Sequence, residues 1–188
     1  LEGGGTSAAR AAAIVKAGIP VVGHVGLTPQ TATALGGFKA QGRTADRAIK
    51  VAEDAIALDQ AGCFAVVFEA VPEAVAEMIA AKIEAITIGI GAGNATDAQV
   101  LVLFDLIGLN EGFMAKFAKR FANVRAEMRS GVEAYVSEVR EKSFPGPEHV
   151  YSVDPETLDT LRKRLNREDL ESHSYFESNY SWDWEPLA

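Results

Sequence analysis

Short apolar runs alternate along the chain with longer segments in which apolar residues recur every three or four positions. The short runs lie at 19–22, 64–68, 85–88 and 100–104. The longer segments lie at 6–17, 45–61 and 72–82. A short apolar run predicts a buried strand, whereas the longer spacing predicts a helix with one apolar face. The alternation of the two predicts an α/β fold built around a parallel sheet.

The apolar positions of the helical segments predict which side chains face the core. On 45–61 these are Ile49, Ala52 and Ile56, and on 72–82 they are Val75, Met78 and Ile79. A long helical region is predicted after the last apolar run, because one apolar stripe continues there at helical spacing. The members of that stripe are Phe113, Phe117, Phe121, Met128, Val132, Tyr135 and Val139.

Length and composition fit a globular protein with one sizeable core. The chain has 188 residues, of which 48% are hydrophobic and 23% are charged. The net charge is −8 and no basic patch is present, so no nucleic-acid partner is expected. No apolar run approaches the roughly 20 residues that cross a bilayer, so no membrane partner is expected. The single cysteine, Cys63, cannot form an internal disulfide and is expected to be a buried thiol.

The segment from Phe144 to Pro147 interrupts the strand–helix alternation and predicts a boundary. Residues 1–143 are expected to form the α/β unit, and residues 144–188 a C-terminal extension that is acidic. The extension predicts a helix over 155–165 and ends in an aromatic cluster. That cluster contains Tyr175, Phe176, Tyr180, Trp182 and Trp184. Two interpretations stay open, a surface-docked extension or an arm that packs on a neighbouring subunit.

Three ionisable side chains come after strand ends. Two of them follow predicted strands, and the third, Glu2, follows what resembles the end of a strand at the start of the sequence. Because parallel strands point their carboxyl ends the same way, Glu2, His24 and Glu69 are expected to converge. Glu2 is either a carboxylate near a divalent cation or an ordinary terminal glutamate. His24 is either a hydrogen-bonding and proton-transfer group or a structural histidine. Glu69 follows five apolar residues, and partial burial would raise its pKa toward a value useful for a general base. For Glu69 we favour this catalytic role over that of a buried glutamate without a function.

A glycine-rich loop follows the run at 85–88. Its sequence, Gly-Ile-Gly-Ala-Gly-Asn over residues 89–94, differs from the dinucleotide-binding fingerprint. The loop offers backbone N–H groups, and we predict Gly91, Gly93 and Asn94 as substrate-binding residues. A plain tight turn is the alternative interpretation.

Six segments occur in an order and spacing that one enzyme family shares. They are Leu-Glu-Gly-Gly at 1–4, the stretch from Gly18 to Gln30 that contains Gly-His-Val-Gly-Leu-Thr-Pro-Gln, the stretch from Gly36 to Arg43, Glu-Ala-Val-Pro at 69–72, Ile-Gly-Ile-Gly-Ala-Gly at 88–93, and Phe-Pro-Gly-Pro-Glu at 144–148. On these segments, residues 1–148 resemble ketopantoate hydroxymethyltransferase.

The resemblance implies a fold, an assembly and a reaction. The fold is a (β/α)8 TIM-type barrel, of which this chain would supply about the second half, and the assembly is a homo-oligomer, a decamer in the family. The reaction uses Mg²⁺ and moves a hydroxymethyl group from 5,10-methylenetetrahydrofolate to 3-methyl-2-oxobutanoate. The product is 2-dehydropantoate, in pantothenate and coenzyme A biosynthesis. At matching positions Glu69 is the proton acceptor, His24 contacts the 2-oxo acid substrate, and Glu2 reaches the metal through water.

By the same resemblance, the direct aspartate ligands to Mg²⁺ and a substrate lysine lie upstream of Leu1. We therefore expect a complementary N-terminal half of the barrel, either as a preceding segment or as a separate polypeptide. The expected compartment is mitochondrial if the extension marks a fungal protein, and cytoplasmic otherwise.

Two other functions stay open. One is a Mg²⁺-dependent carbon–carbon lyase or mutase similar to the phosphoenolpyruvate-mutase-like barrels, and the other is a non-catalytic half-barrel subunit.

Overall fold

The structure, a computed structural model, describes residues 1–165 and contains a four-stranded sheet flanked by helices. The strands are β1 (Val22–Gly26), β2 (Ala65–Glu69), β3 (Ile86–Ile90) and β4 (Ala98–Gln99). The helices are α1 (Thr6–Lys16), α2 (Ala45–Gln60), α3 (Glu73–Ala80), α4 (Leu103–Leu106), α5 (Val124–Glu141) and α6 (Pro155–Leu165). The strands pair in the order β1-β2-β3-β4 and every pair is parallel. This arrangement confirms the predicted α/β fold with a parallel sheet.

The chain divides into two compact units, Leu1–Ser130 and a second unit that starts at Gly131. The first unit contains the whole sheet with α1 to α4. In the second, α6 has the bounds predicted from the sequence, and Phe144 lies against Tyr135 with ring centroids 5.7 Å apart. The predicted domain boundary after residue 143 stays a prediction, and the predicted aromatic cluster at 175–184 lies outside the described residues. Within residues 1–165, no helix combines the length and apolar character that a bilayer span requires.

The two faces of the sheet are covered differently. Side chains alternate between the faces of a strand. One face carries Val25, Val66 and Phe68, which are buried in one core cluster with residues of α1, α2 and α3. The opposite face carries His24 and Glu69, which are only partly buried. The face away from the helices therefore holds the ionisable groups.

The strands begin and end later than the apolar runs predicted. The first strand starts at Val22 rather than residue 19, because Gly18 reverses the chain with φ 84° and leaves Ile19 in the turn, 57% exposed. It then continues through Gly23 and His24 to Gly26, since backbone pairing with β2 overrides the polar character of these residues. The placement of His24 beyond the end of the strand was therefore wrong: it is the third residue of β1.

The core faces of two helices were only partly predicted. On α2, Val51, Ala55 and Leu58 are buried, whereas Ile49 is 57% exposed. Both sets recur at helical spacing, and the sheet selects the set that faces it. On α3 the prediction holds for Ile79, which is buried, but is wrong for Met78, which is 73% exposed.

The region after β4 differs most from the sequence prediction. The run at 100–104 is not a strand, since β4 ends at Gln99 and α4 begins at Leu103. The predicted long helix begins only at Val124, so Phe113, Phe117 and Phe121 lie in a non-helical segment. The three phenylalanines have the spacing of a helix face, but their segment instead folds back over the end of β3, as the next section describes. The remaining members of the stripe do lie on α5, where they are exposed.

Candidate active site

Three side chains predicted to converge lie together on the partly buried face of the sheet. The Nε2 atom of His24 lies 3.0 Å from Oε2 of Glu69, and its Nδ1 atom lies 3.8 Å from Oε1 of Glu2. The imidazole therefore stands between two carboxylates. The side chains of His24 and Glu69 are only 17% and 16% exposed, so water screens this group weakly.

Strand register explains this convergence. Residue 2 forms a parallel bridge with His24, and the N–H of Gly3 donates to the carbonyl of His24 at 2.8 Å. On the other side of β1, Gly26 is paired with Glu69, the last residue of β2. Side chains two residues apart share a face, so Glu69 and His24 occupy neighbouring positions on adjacent strands. The site is thus built on the sheet rather than on loops.

The backbone around Glu69 is held in an unusual conformation. Gly26 has φ 89°, and a Cβ there would overlap the carbonyl oxygen of Glu69. This close approach lets the N–H of Leu27 donate to the same carbonyl at 2.8 Å. Ala70, which follows, has φ 51°, in the region that non-glycine residues rarely adopt. Its N–H donates to the carbonyl of Ile90 and its carbonyl accepts from the N–H of Gln41. Three segments therefore fix the chain immediately after the carboxylate.

Burial sets the protonation of the pair. Burial raises the pKa of Glu69 above its ordinary 4.5, and the nearby charge of Glu2 raises it further. Burial also lowers the pKa of His24 below its ordinary 6.5, with the charge of Glu2 acting in the opposite direction. His24 is consequently neutral at pH 7. A carboxylate with a raised pKa beside a neutral imidazole is suited to accept a proton.

The Nε2 atom of His24 is buried and has no hydrogen-bond partner in the part of the chain that the structure describes. It is close to Oε2 of Glu69, but the geometry is not that of a hydrogen bond. An unpaired buried polar atom is costly and is normally satisfied by something. Nε2 therefore has the capacity for a hydrogen bond that the described residues do not fill.

Glu2 is anchored to the loop after β1. Its Oε2 atom accepts a hydrogen bond from the backbone N–H of Gln30 at 3.1 Å. Among residues 1–165, no group of three or more His, Cys, Asp or Glu side chains is placed to hold a metal ion. The donors described here thus do not complete a Mg²⁺ site by themselves, and a contact of Glu2 with Mg²⁺ through water stays a prediction.

The glycine-rich loop makes its polar contacts away from this group. The N–H of Asn94 donates to Glu73 at 3.2 Å, and the carbonyl of Gly93 accepts from the side chain of Gln99 at 2.9 Å. At Gly91, which has φ 66°, a Cβ would overlap the ring of Phe117. The N–H of Asn94 and the carbonyl of Gly93 thus bond to side chains of the chain itself, and the predicted role of the loop in substrate binding stays a prediction.

Glu69 opens into a cavity of about 440 Å³, here called the aromatic cavity. Its wall contains Leu27, Phe38, Ala70, Phe113 and Phe117, together with two lysines considered below. Sequence reasoning missed this cavity because residues 113–121 were predicted to be helical. The phenylalanines were visible in the sequence, but their spacing pointed to a helix face.

The ionisation of Glu69 predicts how proton abstraction depends on pH. A carboxylate accepts a proton only when it is ionised, so any step in which Glu69 accepts a proton is expected to become faster as pH rises through a pKa above 4.5. In Glu2→Gln this rise should move to lower pH while staying above 4.5, since burial, the larger cause, remains. The measurement is the pH profile of deuterium exchange into the 2-oxo acid that the sequence resemblance implies as substrate. Glu53→Gln, on the exposed side of α2, is the control and should leave the profile in place.

The same pKa shifts fix how stability changes with pH. The folded state holds the Glu69 proton more tightly than the unfolded chain does. Stability from this group therefore falls as pH rises from 4.5 through the raised pKa. The folded state holds the His24 proton less tightly, so stability from this group falls as pH drops below 6.5.

A parallel sheet that carries two carboxylates and an imidazole on one face, beside a cavity, is an arrangement typical of an enzyme site for small molecules. The sequence profile of the family described as ketopantoate hydroxymethyltransferase matches residues 1–147. The chain belongs to this family.

Curated relatives agree with the family assignment. The chain is 47% identical over 161 residues to a 3-methyl-2-oxobutanoate hydroxymethyltransferase of Clostridium botulinum, covering 86% of this chain and 58% of the relative. It is 49% identical over 156 residues to the protein so named in Heliobacterium modesticaldum, covering 83% and 56%. The values for Oleidesulfovibrio alaskensis are 51% over 153 residues, covering 81% and 53%. The chain thus spans a little over half the length of these relatives.

Proposed function

We propose that the complete protein transfers a hydroxymethyl group from 5,10-methylenetetrahydrofolate to 3-methyl-2-oxobutanoate and so forms 2-dehydropantoate. The observation that carries this proposal is the pair formed by Glu69 and His24, a carboxylate of raised pKa beside a neutral imidazole. The names of the relatives support this reaction over a carbon–carbon lyase or mutase. A non-catalytic half-barrel subunit lacks comparable support, because the pair is fully formed on the sheet.

The proposed chemistry starts at C3 of the 2-oxo acid. An oxygen of Glu69 takes the C3 proton, and the electron pair of the broken C–H bond becomes the enolate. C3 of the enolate then attacks the methylene carbon of the donor and forms the new C–C bond. The two C–N bonds of that carbon break, water supplies the hydroxyl oxygen, and tetrahydrofolate leaves with the electron pairs of the broken bonds, protonated on nitrogen. A neutral His24 has one ring N–H and one acceptor nitrogen, so it can bond to substrate at Nε2 while Nδ1 faces Glu2. The imidazole would thereby orient the substrate for Glu69.

The proposed reaction also requires a divalent cation and the remaining strands of the barrel. Mg²⁺, bound through donors additional to those of residues 1–165, would polarise the keto and carboxylate oxygens of the substrate. Glu2 would face it across water. We further propose that the four strands are the second half of a (β/α)8 barrel, which the complementary N-terminal half closes. Supporting this, the bridge at residue 2 continues the sheet beyond β1, and Ile86, at the start of β3, is 51% exposed.

Product formation tests the function directly. The complete protein, given 3-methyl-2-oxobutanoate, Mg²⁺ and 5,10-methylenetetrahydrofolate, is expected to form 2-dehydropantoate, detected by mass spectrometry. Omission of the folate should abolish the product. Cleavage or rearrangement of the oxo acid without folate would instead indicate the lyase or mutase. Native mass spectrometry of the same material tests the proposed homo-oligomer, a decamer in the family, and shows whether the subunit exceeds 188 residues.

A further inference from the structure

The aromatic cavity adjoins Glu69, and proton abstraction does not use it. Phe113 and Phe38 stand at its wall with 89% and 74% of their surface exposed, and Phe117 closes it against Gly91. Its volume of about 440 Å³ lies within the range of about 300–1,000 Å³ typical of small-molecule sites. Exposed phenyl rings around such a cavity are well suited to stack on a flat, conjugated ligand.

The loop that carries Phe38 is held in place beside Glu69. The buried side chain of Gln41 donates to the carbonyl of Lys39 at 2.9 Å. The backbone N–H of the same Gln41 donates to the carbonyl of Ala70 at 2.8 Å. One glutamine thus ties the wall of the cavity to the residue that follows Glu69. The cavity wall and the segment that follows Glu69 are therefore linked by hydrogen bonds.

The cavity wall carries two positive charges besides the carboxylate of Glu69, in a chain of net charge −8. Lys39 comes from the segment before α2, and Lys116 comes from the segment between α4 and α5. Within residues 1–165, neither ammonium group forms an ion pair with a carboxylate. Unpaired positive charge at a cavity mouth attracts an anionic ligand.

We propose that the aromatic cavity binds a carboxylic acid that carries an aromatic ring, with Phe38 and Phe113 stacking on the ring and Lys39 and Lys116 facing its carboxylates. This inference rests on the proposed function and identifies the binding site of its second substrate, the reduced folate. The small 2-oxo acid bonds to His24 on the face of the sheet. The folate instead enters from the side of the segments that carry Phe38 and Phe113. Glu69, which belongs to both regions, removes the proton where the one-carbon unit is delivered.

Two kinetic measurements on the complete protein separate this inference from the proposed function. Deuterium exchange into 3-methyl-2-oxobutanoate needs no folate, whereas 2-dehydropantoate formation gives the KM for 5,10-methylenetetrahydrofolate. Phe113→Leu removes a stacking ring and is expected to raise that KM about three- to tenfold. Lys116→Glu reverses a charge at the mouth and is expected to raise it about tenfold, with a smaller effect at high salt.

In both variants the folate-independent exchange, measured on its high-pH plateau where Glu69 is ionised, should stay within about twofold of the unchanged protein. Lys82→Ala, an exposed lysine between α3 and β3 at the opposite end of the sheet, is the matched control and should alter neither quantity. A folate KM that stays the same in both variants, with product still formed, would overturn the inference and leave the proposed function standing. Absence of exchange in the unchanged protein would overturn the proposed function itself. Loss of exchange in the variants would show that these residues serve the oxo acid, which also overturns the inference.

Discussion

Replacement of Glu69 with Gln in the complete protein is expected to slow C3 proton exchange of 3-methyl-2-oxobutanoate about 10²- to 10⁴-fold, the usual contribution of a positioned general base. Glutamine has nearly the same shape but does not accept the proton. The measurement is the loss of the C3 proton signal in D₂O, followed by NMR with saturating Mg²⁺ and no folate. Product formation with folate should fall by a similar factor, since the later steps need the enolate.

The stability of Glu69→Gln provides a second measurement, in which the expected change is neutral or favourable although proton exchange is lost. Burial disfavours the charge on Glu69, so a neutral amide is expected to leave the thermal midpoint at pH 7 unchanged or raised. Glu77→Gln, on the exposed side of α3, is the control and should change neither exchange nor stability. Persistence of exchange in Glu69→Gln at the rate of the control would show that another group removes the proton.

Replacement of Gly26 with Ala is expected to lower the free energy of unfolding by about 2–5 kcal/mol. About 1–2 kcal/mol of this comes from the left-handed conformation at φ 89°. The remainder comes from overlap of the new Cβ with the carbonyl oxygen of Glu69, a contact that only a backbone shift relieves. Such a shift would also move Glu69 away from His24, so exchange should fall with stability. Denaturant unfolding at matched protein concentration measures the first effect.

Gly36 offers a matched control for this substitution. Its φ is 82°, but a Cβ built there meets no atom within 4 Å. Gly36→Ala should therefore lose only the conformational contribution of about 1–2 kcal/mol and keep its exchange rate. Equal losses in the two variants would show that the close approach of Gly26 to Glu69 adds nothing to stability or to the site.

The sequence predicted the parallel sheet and the convergence of Glu2, His24 and Glu69 for the same physical reason. Apolar runs mark strands that are covered by helices, and parallel strands bring their ends to one edge. The strand ends themselves were displaced, because pairing between backbones extends β1 through a histidine and two glycines. The polarity of a side chain carries no information about backbone pairing between strands. The pattern of apolar and polar residues alone could therefore not place His24 inside the strand.

The aromatic cavity could not be predicted for a different reason. Phe113, Phe117 and Phe121 repeat every four residues, which is the spacing of a helix face. What places Phe117 elsewhere is its packing on Gly91 at the end of β3, a contact between residues far apart in sequence. Likewise, the choice between Ile49 and Val51 on α2 depends on where the sheet lies, which the helix itself does not specify.

The position of His24 within β1 has a consequence for how such enzymes can diversify. Its carbonyl is bonded to the N–H of Gly3, and the strand is paired with β2, so the imidazole sits on backbone that is hydrogen-bonded on both sides. On the proposed function, changes in the size or charge of accepted molecules would therefore accumulate in the segments around Phe38 and Phe113. Glu69 and His24 could stay constant while those segments vary, which would separate the evolution of selectivity from that of chemistry.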